Sequence, residues 1–316
     1  ALDASELGAT RQRAQSALDA GAVGIERGQL YALQAIAAYW LRNDPETRRR
    51  AEQALEFLPP GTADFYLASA HLMVAAGKMK EWDAVSAQLA QVLASHPEPT
   101  SVGAYALCLA RTGYMFMLQG RPVQMKEIAE RLVLLDGMLS SCEPQALAQI
   151  HHFRSGYAMS SGAVVLGIHH LEQTIAAFER AGDHRNAQRE RITLASNYIE
   201  LGQFARGEQL ALQSLHEAET IKVPAQRTSA QVILGYALSH LPERSTEARD
   251  ILQEAVTRCA AIGNRLYQGW ALSALARLSF REGRFAEVEQ LTQEAHAMLM
   301  VEAPTFQAWV VCRPSG

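Results

Sequence analysis

Apolar residues recur along this chain at spacings of three and four, separated by charged and amide side chains. That is the period of a helix with one buried face. The stretch 191–219 shows it most plainly. Ile192, Leu194, Ala195, Tyr198 and Leu201 form one apolar face, Phe204, Leu210, Ala211 and Leu215 form another, and Gly202-Gln203 separates them. The pattern predicts two helices folded back on each other. Ala195, Gly207 and Ala211 are small enough to let them approach closely, while Tyr198 and Phe204 fill the seam. Such a hairpin leaves apolar surface uncovered and needs neighbours of its own kind.

The same reading predicts hairpins over 25–58, 63–94, 101–139, 144–180, 185–220, 225–261 and 266–300, with a lone helix over 3–20 and a partial one over 305–312. Asp44 is the expected N-cap of one second helix, with Pro45 at its first helical position. Alternating β-branched runs bounded by hairpin turns are absent from the sequence, so the fold class is all-α. The repeat is visible by self-comparison. Gly202 and Gly283 stand 81 positions apart, and at that offset Leu194, Ala195, Phe204, Ala205 and Leu210 meet Leu275, Ala276, Phe285, Ala286 and Leu291. Gly120 lies 82 positions before Gly202. Two periods of about 40 residues suit a helical-hairpin array.

The segments LASNYIELGQFARGEQLALQSL and LARLSFREGRFAEVEQLTQEA resemble tetratricopeptide repeats. They place a small residue in the first helix, glycine at the turn, an aromatic two residues later and small residues along the second helix. The first, second, fourth and sixth hairpins depart from this pattern. Phrases such as AEQALEFLPPG and FERAGDHRNAQ resemble the helical arrays of bacterial ATPase-linked LuxR-type regulators and of Ser/Thr kinases or cyclases. The resemblance implies a right-handed α-solenoid of about seven hairpins, one superhelical domain spanning 1–316, and a piece of a longer protein.

Composition changes this picture little. The 316 residues are 48% hydrophobic and 20% charged, with a formal net charge of −4. An acidic balance argues against direct nucleic-acid binding. The run Arg48-Arg49-Arg50 beside Glu46 and Glu52 reads as a solvated helix face. Cys108, Cys142, Cys259 and Cys312 form no CxxC pair and read as reduced thiols. The start, ALDASELGATRQR, lacks the pattern of a leader peptide. No apolar run approaches the roughly 18 residues of a membrane helix. The expectation is a cytoplasmic protein without a membrane partner.

Sequence signatures of catalysis are missing: no phosphate loop, HExxH, GxSxG or kinase set occurs. The chain therefore reads as non-enzymatic, with no cofactor. His151-His152 and His169-His170 could bring ligands to a metal. Adjacent helical residues point about 100° apart, however, so each pair offers one ligand and nothing completes the set. The expectation is no metal. Tyr114, Met115, Phe116 and Met117 point around a whole helix and read mainly as core.

Resemblance to tetratricopeptide repeats further implies a concave surface lined by the first helices. Carried through Ala70, Gly113, Ser155, Ala195, Gly235 and Ala276, its inward positions become His71, Tyr114, His152, Arg189, Ser196, Tyr236, Arg277 and Phe280. Arginine with aromatics is the composition of anchoring contacts. The expected function is a regulatory scaffold within a bacterial signalling or transcription-regulatory protein, holding a protein or peptide, or the parent's own catalytic domain. The alternative is an inducer sensor controlling a linked ATPase or kinase, which would need an enclosed apolar pocket.

Overall fold

The computed structural model of the chain describes residues 4–139, 142–221 and 224–302. The partial helix expected over 305–312 lies outside them. Among the described residues the chain is all-α, without a strand. Contacts divide it into two compact units, residues 1–117 with 121–163 and residues 118–120 with 164–316.

The first unit is built from α1 (Ala4–Asp19), α2 (Gly24–Trp40), α3 (Asp44–Leu55), α4 (Ala63–Lys78), α5 (Trp82–Ala94), α6 (Val102–Leu118), α7 (Pro122–Val133), α8 (Asp136–Leu139) and α9 (Pro144–Ser160). α2 packs on α3 and α4, and α4 packs on α5. Its core holds Tyr66, Met73, Leu109, Phe116, Ile128 and Phe153, all fully buried. The second unit holds α10 (Val164–Arg180), α11 (His184–Glu200), α12 (Phe204–Ile221), α13 (Pro224–Leu238), α14 (Ser245–Ile262), α15 (Arg265–Arg281) and α16 (Phe285–Glu302). Here α11 packs on α12 and α13, and α13 on α14 and α15. Ile192, Ile199, Ile233, Leu252 and Leu275 form its core.

Close approach explains the small residues. Ala195 and Ala211 are fully buried. A Cβ on Gly207 would lie 2.4 Å from Ile199 Cγ1 and 3.1 Å from the Ala195 carbonyl oxygen. Helix starts follow capping chemistry, with one correction. The side-chain cap of α3 is Asn43, whose Oδ1 accepts from Glu46 N–H at 3.2 Å, so Asp44 is the first helical residue. Thr62 and Asp183 cap α4 and α11 in the same way.

One predicted helix is split. Residues 123–139 form α7 and α8 because the Arg154 guanidinium donates to the Leu132 carbonyl at 3.2 Å and also pairs with Asp136. The carbonyl that the next helical turn would have used thus accepts from Arg154 and from Leu135 N–H.

The repeat shows in the backbone itself. Gly120, Gly162, Gly202 and Gly283 sit at first-to-second helix turns with φ of 63°, 79°, 76° and 74°. Arg42 and Lys80 hold the same place in the first two hairpins, with φ of 58° and 63°. A β-carbon makes that conformation costly, by about 1–2 kcal/mol, and glycine removes the cost while adding unfolded-state entropy. Arg42→Gly should therefore raise stability by about 0.5–1 kcal/mol in urea denaturation. A fall would mean that the Arg42 side chain contributes more than its backbone loses.

Candidate functional site

In the second unit, α11, α13 and α15 are the first helices of three successive hairpins. Positions one or two turns apart bring Arg189, Ser196 and Glu200 onto α11, Ser229, Tyr236 and His240 onto α13 and its end, and Trp270, Arg277 and Arg281 onto α15. The structure joins these rows through side chains. Tyr236 donates its hydroxyl hydrogen to Glu200. The Arg277 guanidinium lies 5.1 Å from the Tyr236 ring centroid, with Nη2 3.4 Å from its hydroxyl oxygen. Arg277 Nη1 also donates to the His240 ring. His240 is stacked on Phe204 at 4.5 Å and meets the Tyr236 edge at 5.1 Å.

Electrostatics lock these protonation states. Burial, with the Glu200 carboxylate second, pushes the Tyr236 phenol up to about 12. Burial, then the charges of Arg277 and Arg281, press His240 down to about 4. At neutral pH the phenol is a donor, the imidazole a neutral acceptor, and Arg277 a fixed cation held by both. Phe280, 50% exposed, pairs edge-on with Phe285 at 5.9 Å. This arrangement offers hydrogen bonds, charge and aromatic surface.

Other expected residues are placed differently. Arg189 is exposed and pairs with Glu190, at 2.7 Å. Ser196 is buried and donates to the Thr193 carbonyl, so it offers little surface. In the first unit, Tyr114 and His152 meet with centroids 4.5 Å apart, both half-buried. His71 is only 6% exposed, with Nδ1 2.7 Å from the Leu67 carbonyl and the Tyr39 ring 5.3 Å away. Arg111 lies 4.8 Å above Tyr39. His71 thus lies beneath this surface, with Tyr39 and Arg111 beside it.

Sequence reasoning missed Glu200, His240 and Arg281. Their signal was present, since each follows Ser196, Tyr236 or Arg277 by one helical turn. Among the described residues no group of three or more His, Cys, Asp or Glu side chains is arranged to hold a metal. Cys108 and Cys259 are free thiols pushed up to about 12 and about 11 by burial, which makes them poor nucleophiles. No helix among the described residues is long and apolar enough to cross a membrane.

No protein-family model and no curated protein matches the sequence. Solved structures do. A signal transduction ATPase with numerous domains, bearing a tetratricopeptide repeat sensor, from Pyrococcus horikoshii, superposes with a TM-score of 0.63 over 98% of this chain at 10% identity. The match takes up 48% of that protein, so the chain spans about half its length. A Rap protein complexed with competence and sporulation factor superposes with a TM-score of 0.55 at 14% identity, covering 76% of this chain and 67% of that one. These likenesses show the fold.

Proposed function

From the α-solenoid fold of tetratricopeptide-repeat proteins, we propose that this chain is a non-catalytic interaction module that holds a protein or peptide segment against α11, α13 and α15. The observation that carries the reading is the linked set Glu200, Tyr236, Arg277 and His240. It spans three successive first helices and ends beside the exposed Phe280. A guanidinium already fixed by a tyrosine and a neutral histidine has little left to lose in ordering when it meets a ligand. Exposed Phe280 supplies an apolar contact next to it.

The module serves a larger cytoplasmic bacterial signalling or transcription-regulatory protein, in which the segment held belongs to a partner or to the parent's catalytic domain. A tetratricopeptide sensor in an ATPase and a Rap protein with its factor are similar in fold and support this setting. An inducer-sensing role would call for an enclosed apolar cavity. A depression in the first unit is open and lined mainly by charged residues, unlike such a cavity.

The test is partner capture from extract of the source cells, quantified by mass spectrometry. Arg277→Glu and Tyr236→Ala should each lower recovery of the captured protein about tenfold, the effect of losing one anchoring contact. Unchanged recovery with both variants would overturn the reading.

A further inference from the structure

At the edge where first helices turn into second helices, the first unit carries Arg121, whose counterpart in the second unit, Arg284, is neutralised, and Lys80, where the second unit has glycine. Lys80, at the α4–α5 turn, and Arg121, just before α7, line an open depression of about 580 Å³ together with Arg48, Glu81, Trp82 and Asp83. Arg48 is engaged by Glu52 and Glu81, each at 3.0 Å. Neither the Lys80 ammonium nor the Arg121 guanidinium has a carboxylate partner among the described residues. Arg121 lies instead 4.6 Å from the Trp82 ring centroid.

The second unit shows what is missing. Arg284 follows Gly283 as Arg121 follows Gly120, yet it pairs with Glu282 and with Glu287, the latter at 3.1 Å. The residues at the matching places around Arg121 are Gln119 and Gln124. Other arginines of that unit are likewise paired: Arg206 with Glu172 at 3.5 Å, Arg244 with Glu208 and Glu247, and Arg249 with Glu282 at 2.9 Å. Two glutamines in place of two glutamates leave Arg121 free to lie over an aromatic face. Lys80 adds a second free cation from a backbone conformation that glycine would occupy at less cost.

We propose that this depression is a docking site for an acidic segment of a partner protein, with a carboxylate taken by Lys80 and Arg121 against the Trp82 ring. Charge complementarity argues for the acid, since the two unpaired cations face only Asp83 as an unpaired opposing charge. The shape argues for a polypeptide: a side chain enters a depression of this size, whereas a flat bilayer bridges it. This site is separate from the residues of α11, α13 and α15 and stands without them.

The probe is a deca-glutamate peptide titrated into the full chain, followed by tryptophan fluorescence and calorimetry at low and high salt. Saturable binding that weakens with salt is expected. Arg121→Gln should weaken it about two- to fivefold, and so should Gln124→Glu, which recreates the pairing seen at Arg284. Lys80→Gly should weaken binding similarly while raising the melting temperature, a combination that damage to the fold cannot produce. The proposal is overturned by absence of saturable binding, by equal binding in Gln124→Glu and the unchanged chain, or by loss in Arg277→Glu with retention in Arg121→Gln. Phosphatidylserine vesicles or oligouridylate bound in a Gln124-dependent way, with deca-glutamate unbound, would also overturn the assignment to a protein.

Discussion

Phe153→Ala should cost about 3–5 kcal/mol of stability, the range for deleting a fully buried aromatic side chain. Phe153 is wholly inaccessible to solvent and lies beside Tyr157, ring centroids 6.1 Å apart. Its ring also rests where α6 lacks a side chain. A Cβ on Gly113 would fall 2.5 Å from Phe153 Cε2 and 2.8 Å from Cδ2. Gly113→Ala gains about 1 kcal/mol in helix propensity but forces the ring from its place, with an overpacking cost of about 1–3 kcal/mol. The two positions share one volume, so their effects must couple. Gly113→Ala combined with Phe153→Leu should be more stable than the sum of the single losses predicts, by about 0.5–3 kcal/mol. Urea denaturation of the four species measures this, and strict additivity would show that Gly113 and Phe153 do not compete for space.

The second large effect is on acid stability. Burial, then the positive charge of Arg111, lowers His71 from its ordinary 6.5 to about 3. The Tyr39 ring lies against it at 5.3 Å, the cations Arg111 and Lys78 lie over Tyr39, and Nδ1 donates to the Leu67 carbonyl. The folded state thus holds His71 neutral at pH values where the unfolded chain binds a proton. The stability that this group contributes is complete above pH 6.5 and is lost as pH falls from there toward about 3. At 1.36 kcal/mol per unit, lowering the pH from 7 to 5 should remove about 2 kcal/mol through this residue. His71→Leu should shrink the difference in stability between those two pH values by that amount. If the variant loses as much as the parent chain on acidification, the histidine is not the cause. His240, lowered to about 4 in the second unit, acts in the same direction with more solvent around it.

Much of the fold was legible because the repeat is marked by residues that have one physical use. Phe204 and Phe285 follow a turn glycine by two positions, and an offset of 81 aligns them without any structure. The first two hairpins were harder to read because the marker itself is missing. Arg42 and Lys80 adopt the glycine conformation, so the geometry persists where the sequence signal does not.

The site was legible in part. Tyr236 and Arg277 occupy equivalent places 41 positions apart, and the register alone puts them on neighbouring first helices. His71 occupies such a place too, yet it is buried. Tyr39 and Arg111, which lie beside it, come from helices about 30 and 40 residues away, and single-sequence periodicity carries no record of such neighbours. Glu200 and His240 stand one helical turn past Ser196 and Tyr236, but that spacing alone does not show that Tyr236 and Arg277 reach across to them.

Each helix pair described within a unit joins elements adjacent, or next but one, along the chain. Native contacts are therefore short-range in sequence, the condition under which domains fold in microseconds to milliseconds. Synthesis delivers about 5–20 residues per second, so a repeat of about 40 residues takes seconds to emerge. Within each unit a hairpin can close and settle on its predecessor long before the next has left the ribosome. Assembly then keeps pace with translation, and at any moment only the newest hairpin presents an uncovered apolar face to the cell.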